Sequence, residues 1–240
     1  MGYDIIWGIK GKEITMNNNR EKFQTIDTFK KEFGIHITTK HNGKMTGFMS
    51  LSTSPVKNTF CQKRAKCKGT ICEKCYAMRM AKMYSPLDNV LEKNHAVLTS
   101  QIIPFEKMPI LNCLAFRFEA FGDIQNEIQI INYFNMCKRN PRVQFTIWTK
   151  NLAIFARLFK CGYNGVKYSK PKNLIIILSS PLINKAVDIR AYNFADKVFT
   201  VYDKEYAKTN GIKINCEKSC LICGMCYSKN RTVYVNELLK

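Results

Sequence analysis

The chain has 240 residues, which fits one large domain or two small ones, and its 46% hydrophobic content excludes an intrinsically disordered protein. Lys and Arg total 38 and Asp and Glu total 18, so the net charge of +20 favours polyanionic partners, nucleic acid first. No apolar run is long enough to span a membrane, and Asp4 interrupts any signal-peptide core, so we expect a cytoplasmic protein with no membrane partner.

The basic residues are spread along the sequence, with no long arginine run and no helix-turn-helix, RRM or zinc-finger pattern. A diffuse lysine excess is also typical of an ordinary solvated surface. The charge alone therefore leaves both interpretations open, a nucleic-acid-binding protein and a basic but inert surface.

The first part of the chain, residues 1–46, is polar and is predicted to be an irregular N-terminal extension with one short helix over 23–33. From residue 47 onward the pattern becomes regular. We therefore predict one α/β metal-binding domain over residues 47–240.

Strands and helices alternate along that domain. The predicted strands are 47–53, 113–122, 143–150, 173–180, 197–203 and 231–236. The predicted helices are 76–84, 88–102 with Asp88 as its cap, 126–139, and 152–162 with Gly162 just past its end. Such alternation predicts a parallel sheet, and parallel sheets place their sites at the carboxyl ends of the strands.

Three features are predicted to lie at that edge: the first cysteine group after strand 47–53, Gly122 with Asp123 after the second strand, and Ser179 with Ser180 after 173–178. Asp123 has two interpretations, a ligand for an amine or the cap of the helix at 126, and we favour the cap. The coincidence of three separate segments on one edge predicts a single active site.

Eight of the eleven cysteines form two compact groups. They are Cys61, Cys67, Cys72 and Cys75, followed much later by Cys216, Cys220, Cys223 and Cys226. Because no secretion signal is recognisable, metal binding is favoured over disulfides. The remaining three, Cys113, Cys137 and Cys161, are predicted to be buried small hydrophobes.

The second group has the spacing C-x3-C-x2-C-x2-C. Structural zinc usually uses two C-x2-C pairs separated by a longer stretch, whereas an iron–sulfur cluster accepts thiolates from one compact loop. The spacing favours an iron–sulfur cluster, with zinc as the alternative.

The first group has the spacing C-x5-C-x4-C-x2-C and is followed by Tyr76. Three thiolates would hold a 4Fe–4S cluster with one open iron, which can bind S-adenosylmethionine, and Tyr76 could cover that cluster. If Cys61 is a fourth ligand, the site is closed. The two groups could also share sites, if the two ends of the chain meet.

Several charged side chains are weaker candidates. Arg117 and Glu119 lie on one face of a strand predicted to be buried, so they need partners there unless that strand lies at a solvent-facing edge. Lys150 could meet a phosphate or carboxylate, or be a surface lysine. The histidines, at 36, 41 and 95, show no metal-ligand spacing.

Five motifs occur in an order that resembles a bacteriophage family, the gene-product-eighty-eight-type proteins. They are TFCQKRAKCKGTICEKCYAMRM (59–80), FRFEAFGDI (116–124), FTIWTKN (145–151), LIIILSS (174–180) and CEKSCLICGMCY (216–227).

More distantly, the chain resembles the radical S-adenosylmethionine partial barrel. That resemblance implies a radical-SAM-like α/β fold, a parallel-sheet partial (β/α) barrel with a cysteine-rich C-terminal loop. It also implies that Cys67, Cys72 and Cys75 hold the cluster and that Gly122 and Asp123 lie near the methionine amine.

These observations predict an iron–sulfur phage protein with one or two 4Fe–4S clusters and a radical S-adenosylmethionine-type activity. It would modify nucleic acid or a host macromolecule in the cytoplasm of an infected bacterium. The alternative is a non-enzymatic accessory protein, stabilised by zinc or closed clusters, that binds nucleic acid through its basic surface.

Overall fold

The computed structural model describes residues 24–229 and 232–239. Within those residues, six strands form one sheet: β1 (Met49–Leu51), β2 (Ala115–Phe118), β3 (Gln144–Thr149), β4 (Leu174–Ser179), β5 (Lys197–Tyr202) and β6 (Tyr234–Leu238). Every neighbouring pair is parallel, and the spatial order is the chain order. The predicted α/β fold with a parallel sheet is therefore confirmed.

The same residues form eight α-helices. They are α1 (Ile26–Phe33), α2 (Thr59–Ala65), α3 (Tyr76–Met83), α4 (Ser85–Ser100), α5 (Glu127–Arg139), α6 (Leu152–Cys161), α7 (Lys204–Thr209) and α8 (Cys220–Cys223). Two 3-10 turns, Gly43–Met45 and Met225–Tyr227, also bear on the site. None of these described helices is long and apolar enough to cross a membrane.

One face of the sheet packs on the helices. Crossovers between neighbouring parallel strands are almost always right-handed, so strands in sequential order place their connecting helices on one side. Phe118 of β2 shows this packing: its ring stacks on Tyr133 of α5 at 4.1 Å and on Phe145 of β3 at 5.2 Å. All three side chains are buried in the main core.

The opposite face, which we call the inner face, carries Arg117, Thr146, Trp148, Ile175 and Ile177, because side chains alternate along each strand. The Met225–Tyr227 turn packs against β3 and β4 there. The ring of Tyr227 lies 4.3 Å from that of Phe48 and 5.8 Å from that of Trp148. The second cysteine group thus belongs to a segment that covers the inner face.

Some predicted boundaries are wrong for identifiable reasons. The helix predicted over 88–102 begins at Ser85, so Asp88 lies in its first turn and is not its cap; Pro86 suits that turn because its missing N–H is not needed there. The second strand ends at Phe118, since Glu119 has a φ of 54° and leaves the extended conformation. Helices α2, α7 and α8 were not predicted.

Both ends of the described region are joined to the sheet. Residues 24–46 pack on the domain: Phe29, Ile35 and Ile37 belong to the core, and Thr38 forms an antiparallel bridge with Ser50. The last strand lies at Tyr234–Leu238, three residues later than predicted. Residue 23 of the first predicted helix and residue 231 of the last predicted strand lie outside the described residues.

Candidate functional site

The carboxyl ends of β1, β2 and β3 form one polar edge, which we call the carboxyl edge. Buried polar side chains lie at the end of each of these strands. They are Ser52, Thr53 and Ser54 after β1, Glu119 and Asp123 after β2, and Thr149 and Asn151 at the end of β3. Cys61 and Cys72 of the first cysteine group lie near enough to Asp123 for its charge to act on their thiols. The third predicted feature, Ser179 with Ser180, ends the neighbouring parallel strand β4, so all three lie at the carboxyl ends of the strands, as predicted.

Asn58 fixes the position of α2 relative to that edge. The side chain is fully buried, and its Oδ1 accepts the Cys61 N–H at 3.1 Å as the N-cap of α2. Its Nδ2 donates to the Asp123 carbonyl at 2.6 Å. One amide thus joins the cysteine helix to the loop after β2. An asparagine just before Thr59 is an N-cap signal that would have predicted α2.

Three of the four thiols in the first group share one environment. Burial raises the pKa of Cys61, with further contributions from Asp123, Glu119 and Cys75. Burial also raises the pKa of Cys72, and the Lys150 ammonium opposes that rise. Cys75, the N-cap residue of α3, acts on both of the other thiols.

Cys67 is in a different position. Its side chain is exposed, and its thiol donates to the Lys63 carbonyl at 3.5 Å. The electrostatic interactions therefore link Cys75 to both Cys61 and Cys72, whereas Cys67 stands apart at the surface.

The loop between α2 and α3 crosses the carboxyl edge. Ile71 N–H donates to the Pro181 carbonyl at 3.0 Å, and Thr70 bridges Leu182, just beyond β4. At the start of α3, the Tyr76 hydroxyl donates to the Ala120 carbonyl at 3.0 Å, and its ring lies 5.7 Å from that of Phe121. The loop is therefore fixed at both β2 and β4, and Tyr76 stands beside Cys75 with half of its surface exposed.

Asp123 is held by the next strand rather than by a helix. Its Oδ1 accepts from Thr149 Oγ1 at 2.5 Å and from Ile124 N–H at 2.8 Å, and its Oδ2 accepts from Lys150 N–H at 2.9 Å. Burial raises the pKa of this carboxyl, opposed first by Lys150. The cap of α5 is Asn126, whose side chain accepts from Gln129 N–H. The preferred interpretation of Asp123 as that cap is therefore wrong.

Hydrogen-bond donors surround the buried Glu119 carboxyl group. It accepts from Thr53 N–H at 3.2 Å, from Gln129 Nε2 at 2.8 Å and from the Tyr133 hydroxyl in a short hydrogen bond. Burial raises its pKa to about 8. The need for partners that was predicted for this carboxylate is confirmed, but its two partners on α5 carry no sequence signal, since both face the core at ordinary helix positions.

The second cysteine group lines a small open cavity of about 20 Å³ on the inner face, together with Met225, Tyr227 and Val235. All four of its thiols contribute to this lining. The cavity thus gathers the compact run of cysteines that the sequence showed.

Three cations interact with the thiols of that cavity, and a further one, Lys218, belongs to its lining. Lys44 Nζ donates to the Cys216 carbonyl at 2.8 Å and to Glu237 at 2.7 Å. Arg117 stacks on the Trp148 ring at 4.0 Å, and its Nε has no hydrogen-bond partner among the described residues. Lys197 is buried, and its charge and the Cys226 thiol interact.

Two of these cations, Arg117 and Lys44, lower the pKa values of the neighbouring thiols, against the effect of burial. Burial raises the pKa of Cys220, and Arg117 and then Lys44 oppose that rise. Burial raises the pKa of Cys226 to about 12, again against Arg117. Positive charge therefore favours the thiolate form in a cavity whose burial alone would keep the thiols protonated.

The other candidates are scattered. Cys137 is buried as predicted, whereas Cys161 is exposed because it ends α6 on the solvent side, and Cys113 is half-buried. His41 bonds Ser50 through Nε2 at 2.8 Å, and His95 is buried within α4. In the described part of the chain, no three His, Cys, Asp or Glu side chains are arranged to hold a single metal ion.

Comparison with known proteins gives one family. The family profile described as Gene product 88 matches residues 14–230, which is most of the chain and includes both cysteine groups. No curated protein and no solved structure matches this chain significantly. Because the match spans well over half of the sequence, the chain belongs to the phage Gene product 88 family, as its five motifs predicted.

Proposed function

We propose that this protein binds iron–sulfur clusters and that the cluster at the carboxyl edge supports radical S-adenosylmethionine-type chemistry. The observation that carries the proposal is that the half-buried thiols of Cys61, Cys72 and Cys75 interact within the α2–α3 segment, which follows the first strand of a sequential parallel sheet. Sequential order is the topology of an open (β/α) barrel, and such barrels carry their chemistry at this edge.

The donor chemistry supports iron. Thiolates are the ligands that iron–sulfur clusters and zinc both use, and three of them leave one iron without a protein ligand. A 4Fe–4S cluster with such an iron can bind S-adenosylmethionine and supply an electron to cleave it. Lys150, which acts on both Cys61 and Cys72, offsets the negative charge that thiolates bring to the edge.

The remaining residues of the edge position the site. Asp123 holds the loop after β2 against β3 through Thr149 and Lys150, and Asn58 holds α2 against that loop. Gly122 keeps the loop close to β1, since an added Cβ there would lie 2.6 Å from the Thr53 carbonyl. Tyr76 borders the site beside Cys75 and can shield a bound group from water.

We further propose that the second cysteine group holds a closed cluster through Cys216, Cys220, Cys223 and Cys226. Four thiolates around one cavity leave no position open to a substrate, and Lys44 and Arg117 compensate their charge. The role of this site is to stabilise the segment that covers the inner face, since metal binding adds directly to folding free energy.

The test is metal analysis of protein purified without oxygen, with iron, sulfide and zinc contents and EPR spectra recorded with and without S-adenosylmethionine. We expect iron and sulfide in equal amounts and a spectrum that changes with the cosubstrate. Zinc without iron would overturn the proposal, and a spectrum that ignores S-adenosylmethionine would remove the radical chemistry.

Single substitutions decide which thiols form the open site. Cys61→Ser and Cys72→Ser should each lose the EPR signal that responds to S-adenosylmethionine. Cys67→Ser should keep it, as should Cys161→Ser, a matched control because that thiol is also exposed. If Cys67→Ser loses the signal and Cys61→Ser keeps it, the ligand set implied by the radical S-adenosylmethionine resemblance is the correct one.

A further inference from the structure

Positive charge is concentrated on one segment of the chain. Residues 57–82 contain eight basic residues and one acidic residue, so about a tenth of the chain supplies about a third of the net charge of +20. The basic residues are Lys57, Lys63, Arg64, Lys66, Lys68, Lys74, Arg79 and Lys82. All except Arg64 are exposed, and we call this surface the basic face.

The charges of the basic face are not neutralised within the described part of the chain. Lys57 pairs with Glu92 at 3.0 Å, and among the residues described the other seven have no carboxylate partner. The acidic residue of the segment, Glu73, accepts instead from the Gly69 N–H at 2.8 Å. The basic face therefore presents a surplus of cations to a partner.

The basic face is also the outer surface of the candidate site. It consists of α2, α3 and the loop between them, and these elements supply Cys61, Cys72 and Cys75. The loop is fixed across the carboxyl edge by its contacts with Pro181 and Leu182. A partner bound on the basic face would therefore lie next to the thiols.

A groove in this face has the composition that a nucleotide requires. It offers about 400 Å³ of space between α2 and α3 and is widely open to solvent. Val56, Ala65 and Met78 form apolar walls, and Gln62, Lys66 and Lys82 supply the polar groups. Apolar walls suit the face of a base, and lysines suit the phosphates on either side of it.

Two exposed aromatic side chains lie at the ends of α3. Tyr76 at its start is 56% exposed and Tyr84 at its end is 50% exposed. Neither ring lines the groove, but both belong to the same basic surface, and exposed aromatic rings on such a surface are the usual platform on which single-stranded nucleic acids stack their bases. A duplex hides its base faces and would leave both rings unused.

We propose that the basic face binds a single-stranded nucleic acid and brings it to the carboxyl edge. The proposal rests on the proposed function only for what happens to the bound strand, because the binding itself uses lysines and tyrosines. The recessed position of the edge agrees with this partner: Thr53 and Asp123 are buried, so a base must leave its stack to approach them.

The test is fluorescence anisotropy with labelled DNA and RNA single strands of about 16 nucleotides, the upper site size of such grooves. The variant K66E/K82E reverses two charges in the groove. The control K138E/K208E reverses two exposed lysines in the last turns of α5 and α7, and it changes the net charge equally.

We expect K66E/K82E to bind at least ~10-fold more weakly, and its slope of log affinity against log salt to fall by about 1.4, since each lost phosphate contact removes about 0.7. The control should stay within about twofold of the parent. Equal losses in both variants would show a general field effect and overturn the proposal. Equal binding of a duplex, or displacement of the strand by polyglutamate, would also overturn it.

Tyr84→Leu tests the stacking separately and leaves the charges unchanged. Loss of one stacked base should weaken binding by about 10-fold with an unchanged salt slope; unchanged affinity would remove the aromatic part of the proposal.

Iron content is measured on every variant. Iron without strand binding would refute this inference alone, whereas strand binding without iron would refute the proposed cluster and leave the inference standing.

Discussion

Gly122→Ala is the substitution whose cost the structure defines best. The residue has a φ of 85°, and an added Cβ would lie 2.6 Å from both the Thr53 carbonyl oxygen and Glu119 Oε2. The left-handed conformation costs a residue with a Cβ about 1–2 kcal/mol. The overlap adds about 1–3 kcal/mol, because the Thr53 carbonyl is backbone and Glu119 is held by several donors. We expect a total loss of about 2–5 kcal/mol in the free energy of unfolding.

Gly165→Ala is the matched control. Gly165 has a φ of 76°, but an added Cβ would meet nothing within 4 Å, so only the conformational cost of about 1–2 kcal/mol applies. Urea unfolding followed by circular dichroism measures both variants. The difference between them isolates the close approach of the loop after β2 to β1. Equal losses in the two variants would show that Gly122 is needed for its backbone conformation alone.

Three further predictions follow from buried polar groups. In the parent, burial raises the pKa of Glu119 to about 8 from 4.5, so between these pH values the folded chain keeps a proton that the unfolded chain loses. The free energy of unfolding of the parent therefore falls by about 1.4 kcal/mol per pH unit in that range. Glu119→Gln removes this titration and should flatten the pH dependence. Urea midpoints measured at about pH 5 and about pH 8 should therefore differ less in the variant, and an equal difference would contradict the raised pKa. Asn94→Ala should lower the free energy of unfolding by about 2–4 kcal/mol, because the buried Asn94 amide bonds the His36 N–H, the His36 carbonyl and the Ser52 carbonyl. The control Asn89→Ala, on the exposed side of α4, should change the urea midpoint little. If the second group holds the proposed cluster, Arg117→Met should speed its loss of iron to a chelator, because the thiolates lose a neighbouring cation. An unchanged rate would show that Lys44 suffices.

The parallel sheet followed from the sequence because its strands differ in composition from their surroundings. LIIILS, which is buried at every position of β4, has the unbroken apolar run of a strand covered on both faces. The helices with clear amphipathic patterns, such as α5 and α6, were found with nearly correct ends. Both cysteine groups were visible for the same reason, since compact cysteine spacing is a local property.

The site depended on contacts that no local pattern encodes. Asn58 can be recognised locally as the N-cap of α2, but its link to Asp123 joins residues 65 positions apart. The separation of Cys67 from the other three thiols depends on α2, a seven-residue helix too short to give a clear hydrophobic period. The position of Asp123 likewise depends on distant residues, because Thr149 and Lys150 at the end of β3 bond its carboxyl group.

The cover of the inner face has a consequence for synthesis on the ribosome. Each strand pairs with the one made before it, so the sheet can grow as the nascent chain emerges. Trp148 and the inner face of β4, however, are covered by the Met225–Tyr227 turn, which is translated after five of the six strands. At about 5–20 residues per second, an apolar surface stays open for seconds before the last segment arrives. Termination before residue 216 should therefore yield a chain that aggregates, even though most of its sheet has been made.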